Sequence, residues 1–377
     1  MEVYFDNAAT TKPYDEVINE VADVMRNYYG NPSSAHKLGI IAEQKMEQSR
    51  IEVSKVLNCS KDEIIFTSGG TESNNLLIKG FVGNNGHIIT NDIEHPSVLN
   101  TFKELEKNNC SVTYIKVDRN GQIDLKTLEE SITDKTTLLS IMHVNNEIGS
   151  VQDIETIGNI LKKKSRRAKF HVDAVQSFGK YTIDVKKSKI DLLSASGHKI
   201  HGPRGVGIAY IKKGLIPKSI ILGGGQERNF RAGTENLPGI AGFAKATEMI
   251  YKDLESNYQK VLNLKSYFIE KLSSIEDIKI NSKLTDNFSP YILSVSFKGI
   301  RGEVLLHLLE EKNIFVSTGS ACSSKNTKGS HVLKGIGIGR KEIEGTIRFS
   351  FNSKNTIEEV DYLYDILNNS LKFLRRV

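Results

Sequence analysis

The sequence predicts an α/β fold, a large domain with a mostly parallel seven-stranded sheet followed by a smaller α+β domain. Between residues 63 and 211, short apolar runs alternate with helix-like stretches, the order expected of strands joined by helical crossovers. The runs read as strands buried on both faces, as in a parallel sheet covered by helices. Beyond them, Gly239 to Ile275 is a long amphipathic helical stretch without a strand signal, and new strand-like runs follow it. At 377 residues the chain also exceeds one ordinary core, so two domains are expected.

In chain order, Val17, Val21, Val24 and Met25 recur at helical spacing within a mostly helical region that reaches about Leu57. The turn formers of Tyr28-Tyr29-Gly30-Asn31-Pro32-Ser33-Ser34 interrupt it. Strands are predicted at 63–67, 87–90, 111–115, 137–142, 169–173, 191–195 and 206–211. After the helical bridge, 291–297 and 347–351 read as strands, and 302–312 and 357–373 as helices. No internal repeat or low-complexity segment is present.

Composition narrows the function. The apolar fraction of 38% and charged fraction of 25% are those of a soluble globular chain. Met1 leads almost directly into Asp6-Asn7-Ala8-Ala9-Thr10 without an apolar signal region, and no run is long enough to span a bilayer. A cytoplasmic protein that binds neither membrane nor nucleic acid is the expectation. The net charge of +6 is modest, and Lys162-Lys163-Lys164-Ser165-Arg166-Arg167 reads as a solvated helix C-terminus rather than a nucleic-acid patch. Cys59, Cys110 and Cys322 are odd in number and widely spaced, which argues against a disulfide framework and against a metal site.

Chemistry concentrates where strands end. Ser196-Gly197-His198-Lys199 follows a buried strand, and Asp173-Ala174-Val175-Gln176 ends the strand before it. A lysine with an acid one strand away suits pyridoxal phosphate (PLP). The lysine holds the cofactor as a Schiff base and the acid keeps its ring nitrogen protonated. Phe66-Thr67-Ser68-Gly69-Gly70-Thr71 is a strand turning through glycines into a helix. Its free amides and the Thr71 hydroxyl favour a phosphate, though Thr71 would equally serve as an N-cap after a tight turn. His95, before Pro96, can stack on a ring and carry protons, or can be an ordinary loop residue. Asn146, in Asn145-Asn146-Glu147, also follows a strand. Ligands of open α/β sheets bind at these carboxyl ends. Five suitable groups at one sheet edge are hard to assign to packing.

Two further positions lie in the second half. Cys322 sits in the polar, glycine-containing stretch Thr318-Gly319-Ser320-Ala321-Cys322-Ser323-Ser324. Nothing there would bury a structural cysteine, so an accessible nucleophilic thiol is expected. Cys59 and Cys110, at helix ends before turns, are expected to be chemically idle. Arg348 is a lone charge in a strand, with the fork geometry that an α-carboxylate needs. Gly223-Gly224-Gly225-Gln226-Glu227-Arg228 and Arg231-Ala232-Gly233-Thr234 read as a flexible cationic segment that would close over the site or reach a neighbouring subunit.

From Asp6-Asn7-Ala8-Ala9-Thr10 to Ile347-Arg348-Phe349-Ser350, these motifs resemble the cysteine desulfurases of the NifS/IscS type. These are PLP enzymes of fold type I in the class V aminotransferase family. The stretch around Cys322 is similar to the long-loop group, which serves iron–sulfur assembly and tRNA thiolation. The resemblance implies a large PLP-binding domain at 15–252, and a small domain of 1–14 and 253–377 that carries the cysteine. It implies that Lys199 binds the cofactor and moves the Cα proton, Asp173 pairs with the ring nitrogen, Gln176 with the ring hydroxyl, and His95 stacks. Gly70, Thr71, Ser196 and His198 would hold the phosphate, with Thr234 supplied by the other subunit of a homodimer. Asn146, close to the cofactor, and Arg348 would hold the carboxylate of L-cysteine. Cys322 would take the sulfur as a persulfide and pass it to an acceptor protein, leaving L-alanine. The rival readings are a selenocysteine lyase or another class V aminotransferase or lyase, and a catalytically silent binding protein on the same fold. Phe351-Asn352-Ser353, the glycine-rich 335–339 segment and the short end at Arg375-Arg376-Val377 depart from the family pattern and bear on the acceptor.

Overall fold

The computed structural model describes residues 1–83, 85–318 and 329–376. Its strands are, in chain order, β1 (Val3–Tyr4), β2 (Ile64–Thr67), β3 (His87–Asn91), β4 (Ser111–Ile115), β5 (Thr136–Met142), β6 (Lys169–Asp173), β7 (Leu192–Ser196) and β8 (Gly207–Ile211). They continue with β9 (Ile278–Ile280), β10 (Ile292–Phe297), β11 (Ile314–Phe315), β12 (Ser317–Thr318) and β13 (Thr346–Ser350).

The large sheet has seven strands in the order β2-β8-β7-β6-β5-β3-β4. Only β8 runs against its neighbours, so β2, β3, β5, β6 and β7 all finish at the same edge. The central strands β7 and β8 are buried along their whole length and β6 at all but its first residue, as expected for a sheet with helices on both faces. One apolar core on a face of this sheet gathers Phe170, Phe178 and Phe243 with Ile and Val from the helices Asp15–Asn27, Lys37–Val56 and Leu237–Lys252. Full burial of each such side chain contributes about 1.5–3 kcal/mol.

A second core holds Val3 and Phe5 together with residues from Val261 to Leu371. It lies against a four-stranded antiparallel sheet in the order β12-β13-β10-β9, with β1 and β11 paired beside it. Phe268 stands edge-on to Phe349 at 5.1 Å. The helical bridge is two helices, Leu237–Lys252 and Leu254–Leu272. They break at Asp253 (φ −116°, ψ 21°), and the break lets one helix join each core. Among the described residues no helix is long and apolar enough to cross a membrane.

The segment expected to be a flexible cationic strap is anchored instead. Glu227 is buried and takes both Arg50 Nη1 and Nη2 at 2.9 Å, and the backbone N–H of Phe66 at 2.9 Å. Arg231 pairs with Glu72 at 2.8 Å. Removing one member of the buried Arg50–Glu227 pair would strand a charge at a cost of about 3–5 kcal/mol. The glycine-rich 335–339 segment has a packing reason. Gly335 lies so close to Ile93 that a Cβ would meet its Cγ2 at 2.6 Å, and Ile336 and Ile338 bury against Ile93 and Ile148. Asn352 is a tie, donating to Asn7 Oδ1 at 2.7 Å.

Candidate active site

The five strand ends that share an edge surround a cavity of about 330 Å³. Gly70 and Thr71 reach it from the turn after β2, His95 from that after β3, and Asn146 from that after β5. Asp173 and Gln176 come from the end of β6, and Ser196, His198 and Lys199 from the end of β7. Arg348 enters from β13 of the other sheet. Thr234 is exposed and does not line this cavity. Cys322 lies outside the described residues.

Asp173 is buried and held at both oxygens. Oδ2 accepts from Asn74 Nδ2 at 2.8 Å and Oδ1 from the Val175 N–H at 3.0 Å. Asn74 also donates to Ser97 Oγ at 2.8 Å and accepts from Ser194 Oγ. A carboxylate fixed in this way is a ready partner for a protonated nitrogen.

His95 caps the helix Pro96–Lys107, its Nδ1 accepting the Ser97 N–H at 3.1 Å, with Ser97 Oγ at 2.8 Å. Because a backbone N–H only donates, neutral His95 carries its proton on Nε2. Burial lowers its pKa and Lys199 and His331 push the same way, outweighing Asp173. Burial, with Lys199 and Arg204, lowers His198 to about 4. Both rings are therefore neutral at pH 7.

The turn after β2 is shaped for an anion. Gly69 has φ +146°, and a Cβ on Gly70 would meet Val175 Cγ2 at 2.6 Å, so only glycine lets the backbone approach. The amides of the first turn of the helix Gly70–Lys79 lack helical partners and favour negative charge. Beside them, Ser196 Oγ is buried with no hydrogen-bond partner among the described residues. Such an orphan is costly unless a ligand satisfies it.

Lys199 Nζ donates to the carbonyls of Ala8 and Ala9 at 2.6 and 2.7 Å. Gln176 Nε2 also donates to the Ala8 carbonyl, at 2.9 Å, while its Oε1 accepts from Lys180 Nζ at 3.2 Å. Lys180 is buried, and burial, with Lys199 and Arg348, lowers it to about 7. Arg348 donates from Nη2 to Asp6 Oδ1 and from Nη1 to the Asn146 carbonyl, both at 2.8 Å. Its Nε is buried without a partner among the described residues. Glu147 lines the cavity and accepts from Ser330 Oγ at 2.5 Å. Burial raises it to about 7, outweighing Ser330 and Arg348.

The arrangement therefore offers an anion cradle, a fixed acid, a primary amine, a neutral imidazole and a guanidinium around one cavity. The structure adds Asn74, Ser97, Glu147, His331 and the Ala8 and Ala9 carbonyls to the site expected from the sequence. Asn74, one turn after Thr71, and Glu147, next to Asn146, carry the signal of polar residues beside expected site residues. The alanine carbonyls carry no side-chain signal.

The aminotransferase class-V family model matches residues 3–363. A cysteine desulfurase IscS of Clostridium botulinum (strain Hall) is 42% identical, with 100% of this chain and 96% of that protein covered. A solved NifS-like protein superposes with a TM-score of 0.93 at 42% identity, covering 99% of this chain and 100% of that one. A structure described as SspA in complex with cysteine superposes with a TM-score of 0.83 at 35% identity, over 94% and 100% of the two chains. The chain belongs to the class V aminotransferase family and, within it, to the cysteine desulfurases of the NifS/IscS type.

Proposed function

We propose that this chain is a PLP-dependent cysteine desulfurase that takes sulfur from L-cysteine onto Cys322 and releases L-alanine. One observation carries the reading, the convergence of Lys199, Asp173, His95 and Arg348 on a single cavity. The donor set suits PLP. The Gly70–Thr71 helix start, the orphan Ser196 hydroxyl and His198 would hold its phosphate. Asp173 would hold the ring nitrogen, Gln176 the ring hydroxyl, His95 the ring face and Lys199 the aldehyde carbon. When bound, PLP supplies an electron-withdrawing ring in covalent contact with the substrate nitrogen, which weakens the Cβ–S bond.

This chain's residues do the rest. Arg348, already oriented by Asp6, and Asn146 receive the substrate carboxylate. Lys199, displaced from the Ala8 and Ala9 carbonyls, is the amine that moves the Cα proton. The Cys322 thiolate attacks the substrate sulfur. An S–S bond forms, the Cβ–S bond breaks, its electron pair goes to the carbon side, and a proton completes the alanine methyl. We propose further that 15–252 forms the PLP domain and 1–14 with 253–377 the smaller one, which the two separate apolar cores support. The active species is proposed to be a homodimer whose second copy brings the exposed Thr234 to the phosphate. The persulfide passes to an acceptor protein of iron–sulfur assembly or tRNA thiolation in the cytoplasm.

The test is spectroscopic and chemical. Protein purified with PLP should show the yellow band of lysine-bound pyridoxal and form sulfide and alanine from L-cysteine under reductant. Cys322→Ala should keep the band and lose sulfide formation. A colourless protein, or full desulfurase activity in that variant, would sink the reading.

A further inference from the structure

We propose that His331 is a second proton-transferring histidine of this cavity, the acceptor that complements His95 as donor. It would take a proton from the ammonium group of the entering amino acid. The proposal deepens the desulfurase reading and rests on it. The observation behind it is a pair of opposite tautomers. His331 lines the same cavity as His95, and its Nε2 lies 2.9 Å from the Glu94 carbonyl. A carbonyl oxygen only accepts, so Nε2 carries the proton and Nδ1 is the lone pair. His95 is the reverse, with Nδ1 committed to Ser97 and Nε2–H left to donate. Two imidazoles fixed in opposite senses at one site are suited to an acid–base division of labour.

His331 is held by more than its own hydrogen bond. Ser330, just before it, hydrogen-bonds Glu147 and caps the turn by accepting the Leu333 N–H at 3.0 Å. Val332, Leu333, Ile336 and Ile338 then bury against Ile93 and Ile148. Polar and apolar anchors together fix the ring against the cavity wall. The groups facing it are Asp92 and the Glu94 carbonyl after β3, His95, Lys103 on the helix Pro96–Lys107, and Lys334 on its own turn. Burial lowers its pKa first, and Lys103 and Lys334 add to this against Glu94 and Asp92. The ring is thus a neutral base at pH 7. In the step, one N–H bond of the substrate ammonium breaks, and nitrogen keeps the electron pair. The proton bonds to Nδ1, and the imidazolium returns it to water.

His331→Gln tests this, because glutamine can still donate to the Glu94 carbonyl but offers no basic nitrogen. In the holoenzyme, kcat/KM for L-cysteine should fall about 100-fold. The acid limb of its pH profile, set in the wild type by protonation of His331, should disappear while the yellow band stays. Independently, ¹⁵N NMR of histidine-labelled protein should show a pyridine-type Nδ1 that is absent from the variant. An unchanged rate and pH profile, or a spectrum that puts the His331 proton on Nδ1, overturns the proposal. If the wild type turns over L-cysteine and the variant matches it, this inference alone fails. If the wild type does not turn over at all, the desulfurase reading fails and takes this one with it.

Discussion

The cavity has two walls of different origin. One wall is made by five strand ends at a single edge of one sheet, and each residue arrives on a short local motif. The other wall joins Ala8 and Ala9 to Glu147, His331 and Arg348, with Asp6 paired to Arg348 across 342 positions. The first wall follows from parallel-sheet topology, which delivers side chains to a common edge whatever lies between the strands. The second exists only once the two cores have docked. In the proposed reading, chemistry that any PLP enzyme needs sits on the wall that topology guarantees, and discrimination among substrates sits on the wall assembled from afar.

Variants should separate the walls, and the largest effect belongs to the first. Lys199→Ala should cut turnover at least about 1,000-fold and abolish the lysine-bound band. Alanine formation at the wild-type rate would contradict the role given to Lys199. Arg348→Lys removes the fork that reaches both Asp6 and Asn146. It should raise KM for L-cysteine about 10- to 100-fold with an unchanged spectrum; a spectral change would show that the walls are not separable. Asn74→Ala should loosen Asp173 and Ser97 together. PLP affinity should weaken about 10-fold, measured by equilibrium titration of the apoprotein.

The smallest effects are on stability against pH. His143 and His171 are buried, and burial lowers them to about 4 and about 3. Their contribution is present above the unfolded value near 6.5 and is lost as pH falls through the folded values. Glu147 is the opposite. Burial raises it to about 7, so its contribution is complete below the unfolded carboxylate value and is lost as pH rises through 7. Thermal denaturation between pH 5 and 7 should show an acid decline that Glu147→Gln steepens, because the substitution removes an opposing slope. Each group contributes a slope of at most about 1.4 kcal/mol per pH unit.

The same contrast explains what the sequence made legible. Seven runs of the large sheet are strands at nearly the expected positions, because buried strands are written as contiguous apolar runs; only the edge strand β4 is largely uncovered. Lys199, Asp173 and His95 could be picked out because each ends such a run. β9 and the short turn holding His331 are too brief to show a period in the sequence. The anchoring of Glu227 by Arg50 spans 177 positions, and no local pattern announces such a pair. His331 acquires meaning only through a backbone carbonyl 237 positions away.

The N-terminal residues carry one more consequence. Phe5 and Asn7 are stitched to Ser350, and the Ala8 and Ala9 carbonyls hold Lys199. During synthesis these residues emerge before the strands of the large sheet, whereas their partner strand β13 emerges after them. The pocket is therefore completed only after the large sheet has been made. A nascent chain can complete its large sheet and still lack the floor under Lys199, so tight cofactor capture should wait for β13 and not accompany the folding of the large sheet.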